Sequence, residues 1–549
     1  MNRIVSGCLL YVVSAVGALA AATLNFQLQR VSTQPISPEW HQDAHDAQRT
    51  GYVPVNPDTP WTFRWAFNGA GASGGTSGHI YNAPREARTV CGGGNVYIPA
   101  GGLGLYAKRL TDGNEQWRFT ASTVNAAPAY DPTSGMLFAG GANGTLYKIN
   151  AVNGSVAGTY AAGGPLNKAV LLVGGFVYVV TDAGNLHKVN MATMALAWGA
   201  AYAGGSTIAT PPSYSAAQDV IVYATDDLYV HCVHNADGSR KWRVKPTPNT
   251  AGFPNEFEYI WPVIAEEHGI VFLRMRLEHR ALDPFGAPFP TNFTTIRNWL
   301  IGNPQHQNLF ALRLSDGEKA FIPAVGYGGT EDYLGGSAYS AIGPVPVVKK
   351  WPGGAEVAYI HFRWGDCGGC DYRWDSHMGE MVLDNTTVAG LSAGDLRFVG
   401  MEKVGTFFVR ITDEQCPITM AGDTLMHSHW ASAEILRITD RSGTRGSSFS
   451  NTFGYTKYPT IVHCGTGGTP NWTTRFNTGY MNLCGDTRGL GDGFFSYAGL
   501  SQYAPPGSPV PGAYSAGILP RYCYVSGQFI VYEGNGGDIL VLQHSGTVP

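Results

Sequence analysis

The sequence predicts an all-β fold, an eight-bladed β-propeller closed by an N-terminal strand, and three observations support this prediction. Glycine accounts for 72 of 549 residues and charged residues for only 14%, which favours a large β protein over a helical one. A motif recurs roughly every 40 residues, which is the usual length of one four-stranded blade. A lone strand pattern also precedes the first full repeat. Seven blades is the alternative if one irregular unit is not a blade.

The composition excludes several other classes of protein. Hydrophobic residues make up 44% of the chain, which is too many for a disordered protein. The low content of charged residues is unlike that of a coiled coil. A net charge of −4 gives no basic surface for nucleic acid. We therefore expect a polar small molecule or a protein as the partner, and no nucleic acid.

The N-terminus predicts export from the cytoplasm. Residues 4–22 are apolar and small, follow a single charge at Arg3, and contain the small-x-small sequence 18–20. This pattern is typical of a cleaved secretory signal peptide, predicted at 1–20, and an uncleaved anchor helix is the alternative. An N-terminal segment (21–57) and a single propeller domain (58–549) follow, with a long insertion at about 446–515. We expect a secreted or periplasmic protein without a membrane span after cleavage, and the oligomeric state stays open.

Five copies of one motif define the repeat. They cover residues 105–117, 146–158, 186–198, 228–242 and 309–321, and the first four begin 41, 40 and 42 residues apart. Most copies read as an alternating strand, a turn of Asn-Gly or Asp-Gly type, and a strand that ends in an aromatic residue. Two further apolar strands precede each copy. The unit is therefore four strands, as in a propeller blade.

The later blades are less regular. Blade 5 starts near Trp261 and carries an insertion at about 278–305, and blade 6 starts near Pro344. Blade 7 starts near Cys416, and its fourth strand is not evident. Blade 8 starts near Leu519 and is one strand short. We expect 61–67 to supply that strand, because ring closure removes the open sheet edge.

The repeats resemble those of quinoprotein-type propellers, whose repeat reads approximately Leu-x-Ala-Leu-Asp-x-x-Thr-Gly-x-x-x-Trp. Residues 105–117 and 228–242 match this pattern best. The family includes alcohol dehydrogenases that depend on pyrroloquinoline quinone (PQQ), and non-catalytic propellers such as an outer-membrane assembly factor that binds proteins. The resemblance implies the fold, whereas the function depends on a site. The cofactor-binding members typically carry two adjacent cysteines, and this chain has no such pair.

The sequence does not identify a cofactor. PQQ, a metal ion and the absence of any cofactor are all compatible with it. A haem attachment motif and nucleotide-binding motifs are absent, so neither haem nor nucleotide is expected. The leading hypothesis is a secreted propeller that binds a polar ligand or a protein partner at the mouth of its central channel. The alternative is an oxidoreductase, similar to alcohol or sugar dehydrogenases, that uses PQQ or a bound metal.

Charged residues concentrate at the predicted mouth. In a propeller, the loops before each first strand and after each second strand share one face. The charged candidates in these loops are Arg85, Glu86, Lys168, Glu258, Arg274, Arg276, Glu414, Arg521 and Glu533. Opposed carboxylates and guanidiniums suit a polar or anionic ligand. Ion pairs that tie one blade to the next are the alternative interpretation.

A histidine pair suggests a metal site. His427 and His429 lie two residues apart on a predicted strand and therefore share a face. His377 and Glu380 in the neighbouring blade could complete a site for zinc, copper or iron. Two strand histidines hydrogen-bonded to their neighbours is the alternative.

The chain has nine cysteines, of which Cys8 lies in the predicted signal peptide. In an oxidising compartment we expect Cys464 to pair with Cys484 and Cys367 with Cys370. The second pair could instead bind metal or perform redox chemistry. The remaining cysteines lie in apolar runs that are typical of buried thiols.

Overall fold

A computed structural model describes most of the chain from residue 37 onward. The described ranges are 37–58, 61–67, 84, 86–248, 257, 260–275, 293–325, 329–330, 341–342, 345–353, 355–363, 376–388, 390–400, 417–429, 432–441, 454–457, 460–462, 480–482, 494–496, 515–517, 520–534 and 539–549. Within them, strands build eight sheets that follow one another as the blades of a propeller.

Blades 1 to 4 are regular antiparallel sheets, each formed by four consecutive strands. Their strands are Val90–Gly92, Asn95–Pro99, Leu105–Arg109 and Glu115–Phe119 in blade 1; Ala129–Asp131, Met136–Gly140, Thr145–Asn150 and Val156–Ala161 in blade 2; Leu171–Val173, Phe176–Val180, Asn185–Asn190 and Tyr202–Ala203 in blade 3; and Ser213–Ser215, Val220–Ala224, Val230–His234 and Arg240–Val244 in blade 4.

The third strand of blade 4 is shifted relative to the sequence alignment. Cys232 lies opposite Trp242, as Ala107 lies opposite Trp117 in blade 1. The counterpart of Leu105 is therefore Val230, and not Leu228 as the repeat predicted. The two extra residues belong to the loop before the strand, where Leu228 has a positive φ of 67°.

Blades 5 to 7 follow the predicted order of strands. Their strands are Val263–Ala265, Ile270–Arg274, Leu309–Arg313 and Lys319–Phe321 in blade 5; Val347–Lys350, Glu356–Arg363, Ser376–Met381 and Leu396–Gly400 in blade 6; and Thr419–Ala421, Thr424–His429 and Ser432–Asp440 in blade 7. The insertion of blade 5 contains the helix Phe293–Gly302 and the 3-10 turn Pro304–His306. No helix within the described residues combines the length and apolar character needed to cross a membrane.

Blade 7 has outer strands that the sequence did not predict. Both Gly454–Lys457 and Thr460–Val462 pair with Ser432–Asp440, and Tyr480–Asn482 extends the sheet. Two small hairpin-like sheets lie apart from the blades. They pair Gly329–Thr330 with Ala341–Ile342, and Phe494–Ser496 with Ser515–Gly517.

Blade 8 confirms the predicted closure of the ring. Its strands Pro520–Ser526, Phe529–Gly534 and Ile539–Gln543 come from the C-terminal end of the chain. The fourth strand is Thr62–Phe67, which pairs antiparallel with Ile539–Gln543. The N-terminal strand thereby covers an edge that would otherwise expose unpaired backbone groups.

Aromatic residues on the fourth strands, or just before the fourth strand in blade 3, join neighbouring blades. Trp65 of blade 8 packs on Gly113 of blade 1, and its indole Nε1 donates to the carbonyl of Leu110 at 2.8 Å. A Cβ at Gly113 would lie only 2.6 Å from the indole ring, and the φ of +71° also favours glycine. The same contact joins Trp117 to Gly154, Trp198 to Gly238, Trp242 to Gly317 and Phe321 to Gly394.

The contact between blades 2 and 3 reverses this pairing. Gly158 stands where the other blades carry the aromatic residue, and Met194 stands at the glycine position with a φ of +52°. The methionine Cγ lies 2.9 Å from where a Cβ of Gly158 would be. The small and the large residue have exchanged sides, so the space between the blades is still filled.

Residues 38–53 form an inner belt that makes one circuit inside the ring. The belt accepts one backbone hydrogen bond from the inner edge of each blade in chain order. These bonds run from Gly527 to Pro38 O, Cys91 to Trp40 O, Tyr130 to His41 O, Leu172 to Gln42 Oε1, Tyr214 to Ala47 O, Ile264 to Gln48 O, Val348 to Thr50 O and Met420 to Gly51 O, with N–O distances of 2.7–3.0 Å. The belt therefore satisfies donors that an open channel would leave to water.

The inner belt is part of the hydrophobic core. Trp40, Ala44 and Val53 are fully buried. The belt ends in the short strand Tyr52–Val53, which pairs parallel with Thr419–Ala421 of blade 7. The chain then continues to the closing strand of blade 8.

Candidate functional site

Five charged side chains meet inside the ring and form the axial charge network: Asp43, Arg49, Glu86, Arg88 and Lys168. Lys168 Nζ lies 2.9 Å from Glu86, and Arg88 lies 3.1 Å from the other oxygen of Glu86. Arg88 also donates to both carboxylate oxygens of Asp43 at 2.7 Å. Asp43 in turn lies 3.4 Å from Arg49. The network is continuous, and each of its charges has a partner of opposite sign.

Three parts of the chain supply the network. Glu86 and Arg88 lie in the loop before the first strand of blade 1, and Lys168 lies in the corresponding loop of blade 3. Asp43 and Arg49 come from the inner belt. Arg49 also donates to three backbone carbonyls, those of Pro212 at 2.8 Å, Asp43 at 2.9 Å and Val170 at 3.5 Å. The belt therefore completes a charge arrangement that the blades begin.

Three members of the network, Glu86, Arg88 and Arg49, keep their charge at neutral pH although they are buried. Burial opposes the charge of Glu86, but Lys168 and Arg88 lower the pKa of its carboxyl group below the ordinary value. Burial likewise opposes the charge of Arg88, but Asp43 raises the pKa of its guanidinium. For Arg49, burial dominates over the attraction of Asp43 and lowers the pKa to about 10. A buried network of this kind is costly to break, because removing one partner leaves an uncompensated charge.

A chain of buried aromatic rings borders the network. The guanidinium of Arg88 lies over the indole of Trp261, 4.6 Å from the ring centre. The Tyr522 ring contacts both Trp261 and Trp40, and Tyr524 stacks on Trp40 at 4.8 Å. These four rings are all at least 97% buried. These rings form an apolar part of the inner wall, next to the axial charge network.

A second polar contact links blade 8 to blade 1. The backbone N–H of Thr89 donates to Glu533 at 2.8 Å, and its hydroxyl also bonds to that carboxylate. The hydroxyl groups of Thr89 and Tyr524 are 2.6 Å apart. Glu533 lies near the end of the second strand of blade 8, and Thr89 precedes the first strand of blade 1. The contact is therefore a polar link between the last blade and the first.

Polar side chains that are only half-buried continue outward from the network. We call Asn125, Asn167 and Asp182 the rim. Asn125 Nδ2 donates to Asn167 Oδ1 at 3.0 Å, and Asn167 Nδ2 donates to Asp182 Oδ2 at 2.8 Å. Asn125 and Asn167 occupy equivalent positions before the first strands of blades 2 and 3. The rim is therefore an ordered polar edge with exposed hydrogen-bonding capacity.

The structure describes four of the nine mouth candidates at the level of the side chain. It brings Glu86 and Lys168 into direct contact, and it places Glu533 beside Thr89. Arg274 is fully buried at the end of the second strand of blade 5. The other five side chains lie outside the described residues: Arg85, Glu258, Arg276, Glu414 and Arg521. Ligand binding by this set stays a prediction.

The proposed metal ligands are only partly described. His377 lies on the third strand of blade 6, and His427 and His429 lie on the second strand of blade 7, but their side chains are outside the described residues. Glu380 is fully buried and is bound by Arg397, by Arg441 at 2.9 and 3.0 Å, and by the Tyr359 hydroxyl. Among the described residues, no three His, Cys, Asp or Glu side chains lie close enough together to hold a metal ion. The metal site stays a prediction.

The cysteines proposed to form disulfides, Cys367, Cys370, Cys464 and Cys484, lie outside the described residues. Cys91, Cys232 and Cys523 are described as buried free thiols. Burial raises the pKa of Cys91 and of Cys232 to about 12. These thiols are therefore protonated and unreactive at neutral pH.

The described part of the channel does not fit PQQ, the cofactor that the fold family implies. PQQ is a planar quinone with three carboxylates, so it requires a flat apolar face and free cations. Arg88 already covers the face of Trp261, and the nearby cations are paired with Asp43 and Glu86. A tricarboxylate would have to displace these two buried carboxylates. We therefore derive no chemistry through this cofactor.

Sequence reasoning did not find Asp43 and Arg49. Neither residue lies in a repeat, and an isolated charge in a segment without periodicity gives no indication of burial. The nearest indication was that Glu86 and Arg88, with opposite charges, share one loop.

Comparisons with known proteins agree with this architecture. A PQQ-repeat family model, described as outer membrane protein assembly factor BamB, matches residues 85–252, which span blades 1 to 4. No curated protein matches the sequence.

Several solved structures are similar. BamB from Moraxella catarrhalis is 9% identical with a TM-score of 0.44, and the match covers 86% of this chain and 99% of that one. A quinohemoprotein alcohol dehydrogenase from Pseudomonas putida is 10% identical with a TM-score of 0.47, and the match covers 93% of this chain and 81% of that one. A europium-containing methanol dehydrogenase is 12% identical with a TM-score of 0.47, and the match covers 92% of this chain and 98% of that one. These low values carry no argument about ligand, activity or partner.

The family match covers four blades, and the same four-stranded unit continues through the described residues of the other blades. The chain is a β-propeller built from PQQ-like repeats.

Proposed function

We propose that this protein is a secreted binding propeller whose rim recognises polar groups of a protein partner. The observation that carries the proposal is the inner belt, because it brings the chain's own side chains into the channel behind the rim. In that part of the channel the charges of the axial network pair with one another. Among the described residues at this face, the polar rim is the surface that we propose for a partner.

The rim has the chemistry of a protein-binding surface. Asn125 and Asn167 offer both donors and acceptors, and Asp182 adds acceptors. Such half-buried polar groups can hydrogen-bond to a partner's backbone and side chains, as at the edges of protein interfaces. The hydrogen bonds between them fix their side chains in advance, which lowers the entropy cost of binding. The matched family model is described as an assembly factor, which agrees with a binding role.

A site-specific crosslinking experiment tests the binding role. A photoreactive residue at Asn167 reports on the rim, and one at Val152 serves as the control. Val152 is 83% exposed and lies in the turn between the third and fourth strands of blade 2, which faces away from the mouth. In the native host we expect a discrete crosslinked protein from Asn167 and none from Val152. Equal crosslinking from both positions, or none from Asn167, would contradict the proposal.

A titration with PQQ tests the oxidoreductase alternative. The purified protein is titrated with PQQ and Ca²⁺ in a calorimeter and then assayed with an artificial electron acceptor and short alcohols. We expect neither saturable heat nor dehydrogenase activity, because Asp43 and Glu86 occupy the cations. Stoichiometric binding with alcohol-dependent dye reduction would replace the binding proposal with the oxidoreductase.

The proposal also places the protein outside the cytoplasm. The apolar segment 4–22 supports this location. Fractionation of the native host checks it, with the protein expected in the periplasm or the medium, and recovery only in the cytoplasm would refute this part of the proposal.

A further inference from the structure

We infer that the propeller axis holds a small monovalent anion, of the size of chloride or formate, beside the Tyr522 hydroxyl. This site is separate from the rim and does not depend on the proposed binding function. The inference starts from Tyr522, which is fully buried and whose hydroxyl has no hydrogen-bond partner among the described residues. An unpartnered buried hydroxyl destabilises the folded state, so a structure that retains one requires an explanation.

The hydroxyl lies in a strongly charged environment. Asp43, Arg88, Glu533 and Arg49 all act electrostatically on Tyr522. Burial raises the pKa of its hydroxyl well above the ordinary value, so the group keeps its proton. Tyr522 is therefore available as a hydrogen-bond donor at neutral pH.

A second buried donor belongs to a ring that contacts Tyr522. The indole Nε1 of Trp40 is buried and has no hydrogen-bond acceptor among the described residues. The Trp40 and Tyr522 rings are in edge-to-face contact, with centroids 6.0 Å apart. An indole N–H can only donate. Within the described part of the chain, the Tyr522 hydroxyl and the Trp40 indole are therefore two buried donors that lack acceptors.

The neighbouring acceptors are already engaged. Asp43 accepts two hydrogen bonds from Arg88 and is also paired with Arg49, and Glu533 accepts two from Thr89. A water molecule would bring two hydrogens of its own to a site that already has surplus donors. A guest that only accepts hydrogen bonds matches the site better, and an anion is such a guest.

Charged groups of both signs act on Tyr522, and two of them are the buried guanidiniums of Arg88 and Arg49. Asp43 is shared between two guanidiniums, and it lies 2.7 Å from Arg88 but 3.4 Å from Arg49. Arg49 is fully buried, and burial lowers its pKa to about 10 despite this partner. Two buried guanidiniums close to Tyr522 therefore share Asp43 as their nearest carboxylate, which leaves room for a further negative charge. The full burial of Tyr522 and Trp40 restricts the guest to a small ion.

The first test compares the melting temperature in sodium chloride, bromide, formate and gluconate at equal ionic strength. Gluconate is too large for a fully buried site, so it is the non-binding reference. We expect the small anions to raise the melting temperature by roughly 2–5 °C over gluconate, saturably with concentration. Equal melting temperatures in all four salts would overturn the inference.

Matched variants show whether the effect belongs to this site. Tyr522→Phe should lose most of the difference between salts, because it removes the donor. Tyr524→Phe is the control, since Tyr524 lies two residues along the same strand but is already bonded to Thr89. It should keep the difference. A full salt effect in Tyr522→Phe would refute the assignment.

Bromide soaking gives a direct readout. A crystal soaked in bromide should show an anomalous peak within hydrogen-bond distance of Tyr522 Oη. Peaks confined to exposed lysines, an adventitious ion only, would overturn the inference. Density for water alone at the hydroxyl, without anomalous signal, would overturn it as well.

Discussion

Replacing Trp65 tests ring closure, because this residue is both in the closing strand and in the contact between the last and the first blade. Trp65 is fully buried, its ring covers Gly113, and its indole donates to Leu110 O at 2.8 Å. Truncation of a buried tryptophan to alanine costs roughly 3–5 kcal/mol of unfolding free energy. Trp65→Phe keeps most of the apolar contact and loses the hydrogen bond, so it should cost about 1 kcal/mol.

The assay is denaturant unfolding followed by far-ultraviolet circular dichroism. Trp117→Ala is the matched control, because Trp117 makes the same contact between blades 1 and 2 and donates to Ala151 O at 2.9 Å. If the N-terminal strand closes the ring, Trp65→Ala and Trp117→Ala should destabilise the protein by similar amounts. Closure by this strand would be refuted if Trp65→Ala lowered the free energy of unfolding by less than about 1 kcal/mol while Trp117→Ala lowered it by roughly 3–5 kcal/mol.

Three further predictions follow from buried polar groups. Asp43→Ala leaves Arg88 and Arg49 without their shared carboxylate and should cost roughly 3–5 kcal/mol in denaturant unfolding; a loss under about 1 kcal/mol would refute the axial charge network. Burial lowers the pKa of His231 to about 4 from an ordinary 6.5, so the unfolded chain takes up the proton first as the pH falls. Stability is therefore present above pH 6.5 and declines by about 3 kcal/mol towards pH 4, and His231→Gln should reduce that decline; an unchanged slope would contradict the assignment. Cys91 should react with a thiol reagent at pH 8 only in denaturant, since burial raises its pKa to about 12, and rapid labelling of the native protein would show that it is exposed.

Much of the fold could be predicted because blades are local units. Each four-stranded sheet joins neighbouring segments, so the alternation of residues and the glycine turns within about 40 residues contain the needed information. The closing strand could be predicted for a different reason: blade 8 lacked one strand, and 61–67 was the unassigned strand pattern. The shift in blade 4 was missed because Leu228 resembles the start of the motif, whereas the strand register depends on Cys232 lying opposite Trp242.

The inner belt could not be predicted, because its conformation depends on the ring around it. Residues 38–53 show neither a two-residue nor a helical period, and Ala44, His45 and Arg49 have positive φ values that no local pattern indicates. The belt is held by long-range hydrogen bonds to eight blades. Asp43 and Arg49 became visible as site residues only when this path was known.

The candidate site was predictable where it follows the geometry of the repeat. Glu86 and Lys168 are distant in sequence, yet the rule that loops before first strands share one face placed them together, and they form an ion pair. The rule says nothing of what lies inside the channel. It therefore predicted the edge of the site and missed the inner half of the axial charge network.

Hydrogen exchange measured by mass spectrometry tests the central claim, that the chain's own inner belt occupies the channel. Peptides covering residues 38–53 are compared with peptides from the second strands of blades 2 and 4, Met136–Gly140 and Val220–Ala224, in the native protein. The belt lies inside the ring, so we expect its amides to exchange as slowly as those of the two strands. Complete exchange of 38–53 within seconds, while the two strands remain protected, would show that the belt does not occupy the channel and would contradict this account.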